Sequence, residues 1–284
     1  MNQILIPIDF TEESFQTLQY GTNLAKTLNC NLQLLHVIDL YEFGMNYTYP
    51  DQAPLPEISN ELVEIRKKNA KESFEKLVSE MQKRKDGFPD LNYTIEVGLS
   101  TKKIIEKTEN ENVDYILLSG RKSNNSLNQL LNSSYFNIIT QARVPVWIIP
   151  DNKKFEKIKK IVYATNYNDE DIPSLKKIAR FAAPNQAEII ALHVTQNMNF
   201  QLKIKQEGFQ IMVREKLKYD NISMVSIATS QGISRIHDFA NEVRADIIVV
   251  MKENKSFLKK LFNKSATRQL TIETSIPLLV FHES

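Results

Sequence analysis

Side chains able to do chemistry in this 284-residue chain fall in a few short stretches. Asp9 closes the apolar run "ILIPI", Ile4 to Ile8. A second stretch, "DYILLSGRKSNNS", runs from Asp114 to Ser126, and residues suited to a buried strand give way there to a polar loop. The loop holds one glycine, Gly120, two cations, Arg121 and Lys122, and several small polar residues. In a parallel α/β sheet, the carboxyl end of a strand is where ligands bind. Phosphate is the ligand this composition suits. A phosphate cradle aims backbone N–H groups at oxygens, and glycine permits the positive φ and close approach this needs. Asparagine is the next best residue at positive φ, so Asn124, Asn125 and Asn132 could keep part of that geometry. Ser133 and Ser134 could cap the following helix and leave its positive end facing an anion. Arg121 and Lys122 could add charge-assisted contacts.

Each of these residues also has a structural reading. Serine and asparagine cap and turn ordinary loops. Asp9, two residues before Thr11, can cap the next helix as readily as it contacts a ligand. His36 and His193 both sit in "LHV" and recur in both halves of the chain, which favours a structural role over catalysis. Cys30 is the one cysteine, so neither an intramolecular disulfide nor a cysteine-based zinc site can form. In "LNCNL" it reads as a small structural residue in a turn before a strand. The stretch "MKENKSFLKKLFNKSATRQ" carries six basic residues against Glu253. Its Phe257, Leu258, Leu261 and Phe262 interleave at helical spacing, which reads as an amphipathic helix rather than a polyanion site. No nucleophile elbow, metal-ligand cluster, Walker loop or fixed carboxylate pair stands out, so no catalytic machinery is expected.

The elements that must position these residues are legible from patterning. "ILIPI" and "LQLLHVI" are near-continuous apolar runs, as strands buried on both faces require. Between them, Thr11 can cap a helix through "EESFQTLQYGTNLAKTL", with a turn at Asn29–Asn31. A looser arm follows from Asp39 to about Pro56, with Tyr41, Tyr47 and Tyr49. It suits a lid or a partner surface. Then come a long charged helix from about Ser59 to Lys85, the strand "NYTIEV", the helix "STKKIIEKTENE", the strand "DYILL", the polar loop, a helix to Ala142, and the strand "VPVWIIP". Strands alternating with helices predict a doubly wound parallel sheet.

After the polar stretch "DNKKFEKIKK" the pattern begins again. "KIVYATNY" matches "ILIPIDF", and "IPLLVFHE" matches "VPVWIIPD". Asp114 to Pro145 and Asp246 to Pro277 both span 31 residues (145 − 114; 277 − 246). Asp114 to Ser133 and Asp246 to Ser265 both span 19 (133 − 114; 265 − 246). Two copies of one α/β domain follow. The second copy lacks most of the tyrosine-proline arm.

On "ILIPIDFTEES…AKTLNCNLQLLHVI", "VDYILLSG" and "NSS…QARVPVWIIP", the chain resembles the universal stress protein family in its tandem form. The resemblance implies five-stranded parallel α/β domains that pair through their last strands. It also implies an ATP or AMP site in some members, built on a strand-end Asp and a glycine-rich loop. Asp9 matches that Asp, Pro7 and Ile8 would line the same wall, and Val37 would pack beside the base. At the phosphate loop Ser119, Lys122 and Asn132 stand at the three glycine positions and Ser133 at the hydroxyl position. Only Gly120, one residue out of register, is a glycine. In the second copy Asn166 replaces the Asp, and Met251, Asn254 and Lys264 replace the glycines, while Ser265 keeps the hydroxyl.

The expected fold is therefore α/β, two tandem doubly wound domains, at 1–150 and 160–284 with a linker at 151–159. The candidate nucleotide residues are Pro7, Ile8, Asp9, Val37, Ser119, Gly120, Arg121, Lys122, Asn132, Ser133 and Ser134. The expected function is a non-enzymatic stress-response protein with a degenerate nucleotide site, acting through a protein partner. The alternative is an ATP- or AMP-binding sensor using the first domain, and a slow ATPase is disfavoured. The two domains are expected to pair within one chain, with a homodimer open. A net charge of +2 names neither nucleic acid nor membrane as partner. Without a signal-like start or a long apolar run, the expected location is the cytoplasm.

Overall fold

The computed structural model describes residues 2–40, 60–82, 90–110, 112–120, 134–231, 234–252 and 275–281. The chain divides into two compact units. The first holds Met1–Ser119 with Ser134–Val144, and the second holds Gly120 and Pro145–Ser284.

In the first unit, β1 (Asn2–Pro7), β2 (Cys30–Asp39), β3 (Leu91–Gly98) and β4 (Tyr115–Gly120, whose last residue falls in the second unit) run in the order β3-β2-β1-β4, all parallel. Parallel neighbours need crossovers. These are α1 (Glu12–Leu28), α2 (Asn60–Gln82) and α3 (Ser100–Asn110), and α4 (Ser134–Gln141) follows β4. Ile4, Leu5, Ile6, Leu32, Leu34, Ile116 and Leu117 are fully buried, which explains why the strands read as unbroken apolar runs.

Helix α1 begins as its sequence predicts. The Thr11 hydroxyl accepts from the Ser14 N–H at 3.4 Å, and Glu12 and Glu13 face the positive end of the helix. It ends at Asn29, which takes the left-handed conformation (φ 52°). One residue completes the turn, so Cys30 opens β2 instead of lying in a turn over Asn29–Asn31. Gly21 lets α1 lie against the sheet: a Cβ there would come within 2.5 Å of Ile6 Cδ1 and 2.7 Å of Leu117 Cδ2.

The second unit contains β5 (Val146–Pro150), β6 (Lys160–Ala164), β7 (Glu188–Thr195), β8 (Ile222–Ala228), β9 (Ile247–Met251) and β10 (Leu278–Phe281). Their order is β5-β10-β9-β6-β7-β8. All pair in parallel except β5, which runs antiparallel to β10 with Trp147 opposite Leu279. The last strands of the two repeats thus pair with each other. Helices α5 (Asp171–Ala182), α6 (Phe200–Lys216) and α7 (Ser234–Glu242) complete the unit. Ile158, in the polar stretch before β6, is 1% exposed and belongs to this core. β7 reaches α6 through residues 196–199, where the first repeat has residues 40–59 between β2 and α2.

The two repeats share an anchoring device. The Asp114 Oδ2 accepts from the Gln3 N–H at 2.8 Å. The Asp246 Oδ2 accepts from the Lys159 and Lys160 N–H groups at 2.7 and 2.8 Å. The two Asp residues that mark the repeat in sequence therefore fasten the amino end of each first strand.

Candidate functional site at the strand ends

In the first unit Pro7, Ile8, Asp9 and Val37 lie at the carboxyl ends of β1 and β2. Extending the register Leu5–Ile116 by three residues sets Ser119 level with Ile8. Ile8 continues the β1–β2 ladder through its N–H to the Leu35 carbonyl at 2.8 Å. Ile8 and Ser119 are buried, Pro7 and Val37 half-buried, and Asp9 exposed. The Asp9 Oδ1 accepts from the Thr11 hydroxyl at 2.6 Å and the Thr11 N–H at 3.2 Å. Asp9 therefore orients the residue that caps α1, and Thr11 does the capping. Gly120 ends β4, where a Cβ would stand 3.1 Å from the Ile149 carbonyl oxygen. The serine at 134 opens α4. Arg121, Lys122, Asn124, Asn125, Asn132 and Ser133 lie outside the described residues. So do Tyr41, Tyr47 and Tyr49 of the arm, and Asn254, Lys264 and Ser265 with the rest of the basic stretch beyond Lys252.

Next to Asp9 is a feature that the sequence reading passed over. Phe10 has a positive φ of 62°, uncommon for a bulky side chain. Its ring packs on His36 (centroids 4.8 Å apart) and Phe74 (4.9 Å), and Phe74 stacks on Tyr93 at 4.4 Å. His36 Nδ1 lies 2.8 Å from the Ile8 carbonyl oxygen; a carbonyl only accepts, so Nδ1 donates. The second repeat has the same arrangement. Tyr167 has φ 56°, packs on His193 (5.1 Å) and Phe209 (5.4 Å), and His193 Nδ1 bonds the Thr165 carbonyl at 2.9 Å. The signal was in the spacing: 193 − 36 and 167 − 10 both equal 157. The histidines hold the strand-end loop in shape, and the aromatic residue after Asp9 or Asn166 is locked against them.

Beyond that shared frame the second repeat diverges. Asn166 is exposed, and the carboxylate here is Asp171, 6% exposed at the first turn of α5. Its Oδ1 accepts from the Tyr163 hydroxyl at 2.5 Å. Its Oδ2 accepts from the Thr165 hydroxyl at 2.7 Å and the Asn168 N–H at 3.0 Å. The Tyr167 hydroxyl reaches β8, at the Val225 carbonyl (3.1 Å) and the Ser226 hydroxyl (2.9 Å), and Ser226 donates to Gln206 of α6 at 2.8 Å. Lys205 Nζ donates to Asn168 Oδ1 at 2.6 Å, and the Ser174 hydroxyl donates to the Met251 sulfur at 2.7 Å. The loop after β6 is thus tied on three sides by its own polar groups.

A profile of the universal stress protein family matches residues 1–150 and again 157–282. The chain belongs to the universal stress protein family. It carries the family domain twice, in tandem. Among solved structures it is similar to a universal stress protein from Archaeoglobus fulgidus, at TM-score 0.68 and 17% identity over 99% of this chain and 96% of that one. It is also similar to the functionally unknown protein PA1789 from Pseudomonas aeruginosa, at TM-score 0.58 and 14% identity over 99% and 92%. These likenesses show the fold. A universal stress protein from Archaeoglobus fulgidus in complex with dAMP covers 45% of this chain and 100% of its own, at TM-score 0.34 and 16% identity. No curated protein sequence matches the chain.

Cys30 belongs to the opposite, amino end of the sheet. Burial pushes its thiol up to about 11, with the Asp114 charge adding to the effect. Burial likewise pushes the Tyr115 hydroxyl up to about 12, with Cys30 and Asp114 contributing. Among the described residues no three His, Cys, Asp or Glu side chains gather as a metal site would need, and no helix is long and apolar enough to cross a membrane.

Proposed function

We propose that this tandem universal stress protein works without enzymatic activity, in the stress response, by binding a protein partner, and that its nucleotide site is degenerate. The observation that carries the reading is the Tyr163–Asp171–Thr165 network with its Tyr167 tie to β8. The polar groups at that strand end are already satisfied by one another. A nucleotide entering there would have to break bonds to a buried carboxylate, worth roughly 1.5–3 kcal/mol each. The loss of the Asp at Asn166 and of the glycines at Met251, Asn254 and Lys264 supports the same reading.

The first repeat favours a second reading in one respect. Asp9 is exposed, and Thr11 fixes its carboxylate at the end of β1. That arrangement supports an ATP- or AMP-binding sensor using the first repeat alone. Freshly purified protein, denatured and its supernatant chromatographed for nucleotide, separates the two readings. Release of less than a tenth of an equivalent is expected. Stoichiometric adenine nucleotide would overturn the first reading in favour of the second.

A further inference from the structure

Helix α6 has two apolar faces. One packs into the second unit through Phe209 and Val213, 1% and 3% exposed. The other faces solvent: Phe200 is 76% exposed, Ile204 53% and Ile211 58%. At 3.6 residues per turn these three fall within about 40° of one another and roughly opposite Phe209. The stripe is about 16 Å long at 1.5 Å per residue. Scattered exposed apolar residues need no explanation, but an aligned stripe does.

Gly208 borders the stripe in mid-helix. A glycine there costs about 1 kcal/mol against alanine, and nothing among the described residues calls for it: an added Cβ would meet none of their atoms within 4 Å. Open space beside an apolar stripe lets another backbone come close. The charged residues along one edge, Lys203, Glu207 and Arg214, are all exposed.

We propose that α6 is a self-association surface and that its occupant is α6 of a second copy, antiparallel about a two-fold axis. In that register Phe200 meets the partner's Ile211, Ile204 sits over the partner's Gly208, and Lys203 lies beside the partner's Glu207, each contact occurring twice. The sequence is self-complementary this way round. A parallel two-fold pair would set this charged edge against the partner's opposite edge, at Gln201, Gly208 and Met212, where neither Lys203 nor Glu207 meets an opposite charge. A three-turn seam is smaller than a standard protein interface, so the dimer forms in the micromolar range.

Sedimentation equilibrium over a concentration series tests this on the full chain. The wild type should pass from 32.8 kDa toward twice that mass, 65.6 kDa, as concentration rises. Ile204→Lys changes an exposed side chain, so Trp147 fluorescence should be unchanged while the protein stays at 32.8 kDa. Lys203→Glu and Glu207→Lys should each weaken the dimer at least ten-fold alone. An equimolar mixture of the two should restore it, because each edge then meets its opposite. A wild type that stays monomeric into the hundreds of micromolar overturns the proposal. So does a dimer that Ile204→Lys leaves intact, or a mixture no tighter than either variant alone.

Discussion

Tyr163→Phe is the sharpest probe of the second repeat. The substitution removes one oxygen from a fully buried ring and leaves the rest of the packing in place. It deletes the 2.5 Å bond to Asp171 Oδ1 and leaves that oxygen buried. A hydrogen bond to a charged group contributes about 1.5–3 kcal/mol, and a buried acceptor without its donor keeps its desolvation cost. A loss of about 2 kcal/mol lowers the melting midpoint by roughly 4–8 °C for a unit of this size. Tyr167→Phe is the built-in comparison. It removes bonds to the neutral Val225 carbonyl and Ser226 hydroxyl and recreates the ring found at Phe10, so its cost should be nearer 1 kcal/mol. The assay needs no label. Trp147 is the only tryptophan, is 1% exposed, and lies in the second unit, so its fluorescence during urea unfolding reports the unit that holds Asp171. If Tyr163→Phe costs less than about 0.5 kcal/mol, or less than Tyr167→Phe, the buried carboxylate is not what fastens this loop.

Three further outcomes follow from residues described above. The Cys30 thiol, raised from 9.0 to about 11, should react with a disulfide reagent at pH 8 about a hundred-fold more slowly than an ordinary thiol, and at the ordinary rate in urea. The same shift fixes a pH dependence. The folded state keeps the thiol proton to higher pH than the unfolded chain, so this stability is intact below pH 9 and is lost as pH rises toward 11. Alkaline urea melts of Cys30→Ala should fall less steeply across that window than those of the wild type. Asp246→Ala leaves the Lys159 and Lys160 N–H groups without their carboxylate, and should cost about 2–3 kcal/mol in the Trp147 transition.

The repeat was legible because both copies keep the same spacings around Asp114 and Asp246, and those two residues turn out to clamp the strand starts. Strands buried on both faces were legible from their near-continuous apolar runs: Ile4–Ile6 and Leu32–Leu35 are buried throughout, with Gln33 the one polar residue among them. The strand-end frame was legible only in part. Asp9 and the histidines stood out as residue types, but their roles depend on backbone geometry. A left-handed Phe10 or Tyr167 looks like any core aromatic in sequence, and its locking by His36 or His193 becomes visible only when β2 and β7 bring the rings alongside. Asp171 was missed because a carboxylate in the first turn of a helix reads as an ordinary charge–dipole contact. Its burial depends on Tyr163, eight residues earlier and across the loop. The antiparallel β5–β10 pair carries no local signal either, since "VWII" and "LLVF" would suit a parallel sheet equally well.

Calorimetric titration of ATP-Mg and of AMP into the apo protein tests the central reading most directly, with Asp9→Ala alongside. The expected result is no saturable heat into the millimolar range for either protein. A saturable isotherm near one site per chain, abolished by Asp9→Ala and untouched by Asn166→Ala, would contradict it and make the first repeat a working nucleotide sensor.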